Sequence, residues 1–163
     1  MSSTADRTPE WDRLRSEHLR PKADRSESTA RGMHHIALLC TDVEKTIGFY
    51  QGVLGFPLTE LIENRDYPGS THFFFDIGNG NLLAFFDFPG LDLSDYAEVL
   101  GGMHHIAISI SPENHAAARR SLAENNIALD FEHDTSMYFR GPDGERVELI
   151  ADELGEMYGD DVS

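Results

Sequence analysis

Two histidines and one glutamate carry the clearest chemical signal in this 163-residue chain. The hexapeptide Gly32-Met33-His34-His35-Ile36-Ala37 returns unchanged as Gly102-Met103-His104-His105-Ile106-Ala107. Neutral imidazole is the commonest metal ligand among side chains, and the repeat sets a histidine at the same point of two copies. Glu148 stands inside the run Val147-Glu148-Leu149-Ile150, where an unpaired carboxylate would be costly to bury. His35, His105 and Glu148 on converging faces would form a facial triad for a divalent metal. The same residues have another way to be satisfied. Both histidines could be half-exposed strand residues, with Glu148 paired to Arg146 or Arg140.

The elements that position them follow from the repeat, which implies two copies of one supersecondary unit. Residues 33–40 read as a strand. Thr41-Asp42-Val43-Glu44 matches a capping box, and Val43, Ile47, Tyr50 and Leu54 recur at helical spacing up to Gly52 and Gly55. Strands are expected at 58–62, 72–77 and, after the Gly78-Asn79-Gly80 turn, 81–86. The second copy repeats the order. A strand at 103–110 leads to Ser111-Pro112, a strong helix start. The helix runs to about Asn125. Strands follow at 128–131, 136–140 and, beyond the Gly141-Pro142-Asp143-Gly144 turn, 145–151. The organisation is an N-terminal arm over 1–30, a first βαβββ module with its connection over 31–100, a second over 101–155 and an acidic tail over 156–163, with residues 152–163 expected to be partly frayed.

Side chains alternate across a strand. His35, Ala37 and Leu39 therefore share one face, and Ile36 and Leu38 pack on the module's helix from the other. By the same rule His105 lies with Ala107, while His34 and His104 point away from the proposed ligands' face. Val147 and Leu149 meet the second helix, leaving Arg146, Glu148 and Ile150 opposite. Phe74, Leu82, Phe86 and Phe88 are expected to line an apolar cavity suited to an aromatic substrate, with Phe73 and Phe75 in the core.

The net charge of −16 opposes binding to nucleic acid phosphates and anionic membranes. Residues 1–31 are nearly neutral, with seven of the thirteen basic side chains against six acidic ones. This arm could be disordered or could dock on a neighbouring chain. No apolar run approaches the ~20 residues of a membrane span, and the first residues lack the apolar stretch of a signal peptide. The single cysteine, Cys40, precludes an intrachain disulfide and fits a reducing, cytoplasmic setting.

The chain resembles the vicinal oxygen chelate superfamily, which includes glyoxalase I, fosfomycin-resistance proteins, bleomycin-binding proteins and extradiol dioxygenases. The resembling segments are His34-His35-Ile36-Ala37-Leu38, Thr46-Ile47-Gly48-Phe49-Tyr50 with Val53-Leu54-Gly55-Phe56, His104-His105-Ile106-Ala107-Ile108, and Gly141-Pro142-Asp143-Gly144-Glu145-Arg146-Val147-Glu148-Leu149. The resemblance implies an α+β fold of two βαβββ modules whose sheets form a metal-holding cup. It also implies that His35, His105 and Glu148 bind the metal. Ala84 stands where glyoxalase I supplies a fourth ligand, which leaves three protein ligands, as in extradiol dioxygenases and three-ligand fosfomycin-resistance proteins. Tyr138 matches the active-site tyrosine of extradiol enzymes, and His133 lies in the region of a further active-site histidine. Asn81 departs from the pattern, occupying the place of an acid–base histidine, and His72 is a candidate substitute.

The expectation is an extradiol, catechol-cleaving dioxygenase with Fe(II) on His35, His105 and Glu148. Tyr138 would hydrogen-bond a substrate oxygen, and His133 or His72 would move protons. The rivals are a lyase, isomerase or thiol transferase using Mn(II), Ni(II) or Zn(II), and a small-molecule-binding resistance protein. Module exchange in the superfamily makes a homodimer the expected assembly.

Overall fold

The computed structural model describes residues 6–157 and 160–162. The chain divides into two compact units, residues 1–31 and residues 32–162. In the first unit α1 (Thr8–His18) is followed by a 3-10 turn at Lys22–Asp24. Pro9 lies in its first turn, and none of its residues is buried. Trp11 and Leu14 are exposed on it. Among the described residues no helix is long and apolar enough to cross a membrane.

The second unit contains two four-stranded sheets of identical topology. In the first module β1 (His35–Leu39) leads to α2 (Val43–Ile47), then β2 (Leu58–Glu63), β3 (Thr71–Asp76) and β4 (Leu82–Phe86). In the second, β5 (Ile106–Ser109) leads to α3 (Pro112–Glu124), β6 (Leu129–His133), β7 (Ser136–Arg140) and β8 (Arg146–Ile150). The strand orders are β1-β4-β3-β2 and β5-β8-β7-β6. In each sheet the first and last strands pair parallel and the remaining pairs are antiparallel. The duplicated sequence therefore folds as duplicated α+β modules. Near the C-terminal end, β9 (Glu156–Met157) pairs antiparallel with β10 (Asp160–Asp161).

Local details depart from the sequence reading in two places. The helix expected to run from Val43 to Leu54 is α-helical only to Ile47 and widens into a π-helical turn over Gly48–Val53. Gly48 and Gly52 weaken regular helix there, and the adjacent Phe49 and Tyr50 are both buried. The helix cap is Asp42 rather than Thr41. The Asp42 carboxylate accepts from the Lys45 amide at 2.9 Å. Thr41 instead donates its amide and hydroxyl to Asp143, at 3.1 and 2.5 Å.

That contact belongs to a seam between the modules. Tyr50 Oη donates to Glu145 Oε1 at 2.6 Å, with both groups buried. Ser121 Oγ donates to the Val53 carbonyl at 2.7 Å, and the Phe49 and Phe139 rings lie 6.2 Å apart. A continuous core of Tyr50, Phe73, Phe75, Phe85, Met137, Phe139, Val147 and Leu149 joins the two sheets. Burying Phe and Leu side chains of this kind stabilises by about 1.5–3 kcal/mol each. Cys40 is buried in the same core, and burial pushes its thiol up to about 12, so it is an inert side chain.

Candidate metal centre

Strand alternation determines what is left outside that core. Along β1 the burial alternates, with His35, Ala37 and Leu39 exposed and Ile36 and Leu38 against the core. Phe73 and Phe75 are fully buried while Phe74 is half-buried on the other face. Leu82, Phe86 and Phe88 are likewise half-buried. On β8, Val147 and Leu149 enter the core, and Glu148 points to the opposite face.

Registers make the modules directly comparable. Ala37 pairs with Ala84 and Ala84 with Phe74, whereas Ala107 pairs with Glu148 and Glu148 with Tyr138. Ala84 is thus the counterpart of Glu148, Phe74 of Tyr138, and His72 of Ser136. In the first two pairs the polar member belongs to the second module, while His72 and Ser136 are both polar.

Glu148 is only 5% exposed, yet it does not pair with Arg146 or Arg140. Its Oε2 lies 3.0 Å from His105 Nε2. Its Oε1 accepts from Ser136 Oγ at 2.6 Å. Arg140 is bound to Asp130, and Arg146 faces Glu98. His105 is 29% exposed, and its ring meets Tyr138 edge-on at 5.6 Å. His105, Glu148, Tyr138, His133, Phe131 and Met157 line a cavity of about 700 Å³. His133 sits at its exposed rim, with Nδ1 3.0 Å from Asp134 Oδ2.

The other two candidates lie in the first module. His72 stacks on Phe86 at 3.7 Å and meets Phe74 at 4.2 Å with the rings tilted. Its Nε2 is buried with no hydrogen-bond partner among the described residues. Burial lowers its pKa, and the charge on His35 lowers it further, so His72 is neutral at neutral pH. His35 is not gathered with His105 and Glu148. Among the described residues no three His, Cys, Asp or Glu side chains come together to hold one ion.

Two features escaped the sequence reading. His34 and His104 do not lie clear of their neighbours, because the Nδ1–Nδ1 distances are 2.9 Å to His35 and 2.6 Å to His105. Ser136 holds the carboxylate of Glu148, a role its shared strand face with Tyr138 could have signalled. In chemical terms the second module offers a buried carboxylate beside an imidazole, two of the three donors of a facial triad. A ligating carboxylate is ordinarily held by a further hydrogen bond, which Ser136 supplies. The donors fit a divalent metal that draws its third protein ligand from elsewhere.

Comparison with known proteins agrees with this architecture. The model of the Glyoxalase/Bleomycin resistance protein/Dioxygenase superfamily matches residues 32–149. The Bacillus subtilis protein named "Putative ring-cleaving dioxygenase MhqA" is 28% identical over 138 residues, covering 78% of this chain. The chain spans only 42% of that relative's length. Among solved structures, fosfomycin resistance protein FosX from Listeria monocytogenes, complexed with Mn(II), superposes with a TM-score of 0.58 at 22% identity. The match covers 77% of this chain and 96% of FosX. Leishmania major glyoxalase I gives 0.62 at 21% identity, covering 74% and 86% of the two chains. These two likenesses concern the fold. With the family model running through both modules and into the last strand of the second sheet, this chain belongs to the glyoxalase/bleomycin resistance protein/dioxygenase superfamily.

Proposed function

We propose that this protein is a metal-dependent, ring-cleaving dioxygenase acting on a small aromatic substrate with vicinal oxygens. The observation that carries the reading is the buried Glu148 carboxylate, held by Ser136 and facing His105 beside Tyr138. Likeness to the ring-cleaving relative supports the class of reaction. His35, His105 and Glu148 are the proposed ligands, with Fe(II) the first candidate metal and Mn(II), Ni(II) or Zn(II) the others. When bound, the iron supplies Lewis-acid activation of the diol and the redox chemistry of dioxygen.

The chain's own residues do the rest. Phe131 and Met157 give the cavity an apolar wall that holds an aromatic ring and excludes water. Tyr138 orients a substrate oxygen through its hydroxyl. His133, at the solvent rim, exchanges protons with water, and neutral His72 is a proton acceptor on the opposing module. Ala84 leaves space where a fourth ligand would stand.

His35 reaches the pair from a second copy of the chain. Within one chain the β1 face bearing it is open, with Leu39 48% exposed beside it. A homodimer would close the first module of each copy over the second module of the other. The reading is tested by loading the purified protein with Fe(II) under argon, then adding a panel of catechols and oxygen. A yellow ring-cleavage product is expected, and no product with any catechol overturns it. The likeness to Mn(II)-bound FosX favours a second reading, a non-redox reaction. Turnover with Mn(II) in the absence of oxygen would establish that reading instead.

A further inference from the structure

We propose that Arg146 reads a carboxylate substituent on the substrate, with Glu98 occupying its guanidinium when no substrate is bound. This rests on the aromatic-substrate reading of the Glu148 cavity. Arg146 lies two residues before Glu148 on β8 and therefore on the same strand face. Its counterpart in the first module is Leu82, two residues before Ala84. A cation has thus been placed where the duplicated scaffold accepts an aliphatic side chain. The guanidinium carbon lies 5.1 Å from the Tyr138 ring centroid, and that ring in turn meets His105. Arg146, Tyr138, His105 and Glu148 form one continuous set.

The pairing of Arg146 is what distinguishes it. The side chain is 22% exposed, and its Nη1 lies 3.5 Å from Glu98 Oε1. Charge-assisted hydrogen bonds between such groups are about 2.7–2.9 Å long. Arg140 meets Asp130 at 2.6 Å, and Arg119 holds Glu132 through two bonds at 2.7 and 2.9 Å. Arg146 Nε is buried and has no hydrogen-bond partner among the described residues. Glu98, the carboxylate facing its Nη1, is 44% exposed on the irregular connection between the modules and also lies 3.8 Å from His104 Nε2. A part-exposed guanidinium whose Nη1 meets a carboxylate only at 3.5 Å offers its Nη edge to the planar carboxylate of a ligand. Glu98 is already a carboxylate near that position, loosely held and free to leave. In a chain of net charge −16, a local cation is also what an anionic substrate needs in order to approach.

The test is calorimetric titration of the metal-loaded, full-length protein under argon with catechol and with 3,4-dihydroxybenzoate. The wild type is expected to bind the dihydroxybenzoate about tenfold more tightly, the scale of one charge-assisted hydrogen bond. Arg146→Gln should lose that preference and keep its catechol affinity, and Glu98→Gln should strengthen dihydroxybenzoate binding. Thermal melts confirm that both variants are folded. Equal wild-type affinities, a preference that survives in Arg146→Gln, or weaker dihydroxybenzoate binding by Glu98→Gln would overturn the inference. If catechol fails to bind while the Arg146-dependent preference persists, the aromatic diol reading falls and Arg146 stands. If neither probe binds, both fall.

Discussion

Replacing Tyr50 with Phe removes one hydroxyl from the seam that holds the two modules together. Tyr50 is fully buried and Glu145 is 4% exposed, and the bond between them is 2.6 Å long. Burial raises the Glu145 pKa, and the Tyr50 hydrogen bond and two backbone amides pull it back down. Burial and the nearby Glu145 charge hold the Tyr50 hydroxyl well above its ordinary range, so it remains a donor at any working pH. Losing a hydrogen bond to a charged group costs about 1.5–3 kcal/mol. With urea m-values of about 1–3 kcal/mol/M, the unfolding midpoint should fall by about 1 M at pH 8.

The sign of the pH dependence follows from Glu145. Its folded pKa is raised, so the folded state holds the proton more tightly than the unfolded one, and stability falls as pH rises through that interval. Tyr50→Phe removes a lowering influence, raises the folded pKa further and steepens the fall. The difference between wild type and variant should therefore be smallest below the ordinary carboxylate range and largest above the folded pKa of Glu145. Urea titrations at pH 4 and pH 8 measure it. A loss below about 0.5 kcal/mol at pH 8, or an equal loss at both pH values, would refute the assignment of Glu145 as a strained carboxylate relieved by Tyr50.

Other expectations concern the same seam and the proposed metal centre. A Cβ on Gly141 would overlap the Glu145 carboxylate, so Gly141→Ala should displace it and destabilise the protein by about 1–3 kcal/mol, read by thermal melting. Ser136→Ala should weaken metal binding by about 10–100-fold, the usual effect of losing a hydrogen bond to a ligand, measured by competition with a chelator. Glu148→Gln and His105→Ala should each leave the dialysed protein with far less than one metal per chain by elemental analysis. Mixing His35→Ala with Glu148→Ala should regenerate about one quarter of the sites through random dimer pairing. No recovery after subunit exchange would show that His35 does not act across an interface.

Much of this arrangement was legible in the residues. The repeated hexapeptide announced the duplication, and the two sheets have the same strand order because the same pattern is read twice. Period-two alternation separated Phe73 and Phe75 from Phe74, and Val147 and Leu149 from Glu148. These are local rules, set by the pleat and by the side chain's affinity for water, so a sequence states them directly. Ala84 could be recognised as the counterpart of Glu148 for the same reason, since register follows from matching the two copies.

Partner choice was not legible, because it depends on contacts between residues far apart in the chain. Asp42 caps α2, and Thr41 turns to Asp143, because the Gly141–Glu145 turn arrives from the second module. Glu148 takes Ser136 and His105, and Arg146 takes Glu98, although arginines lay closer in sequence. The sequence by itself determined the duplicated fold and the faces on which His35, His105 and Glu148 stand. Only the tertiary structure decided that His105 and Glu148 meet within one chain while His35 stays apart, since that depends on how two whole modules pack about a shared core.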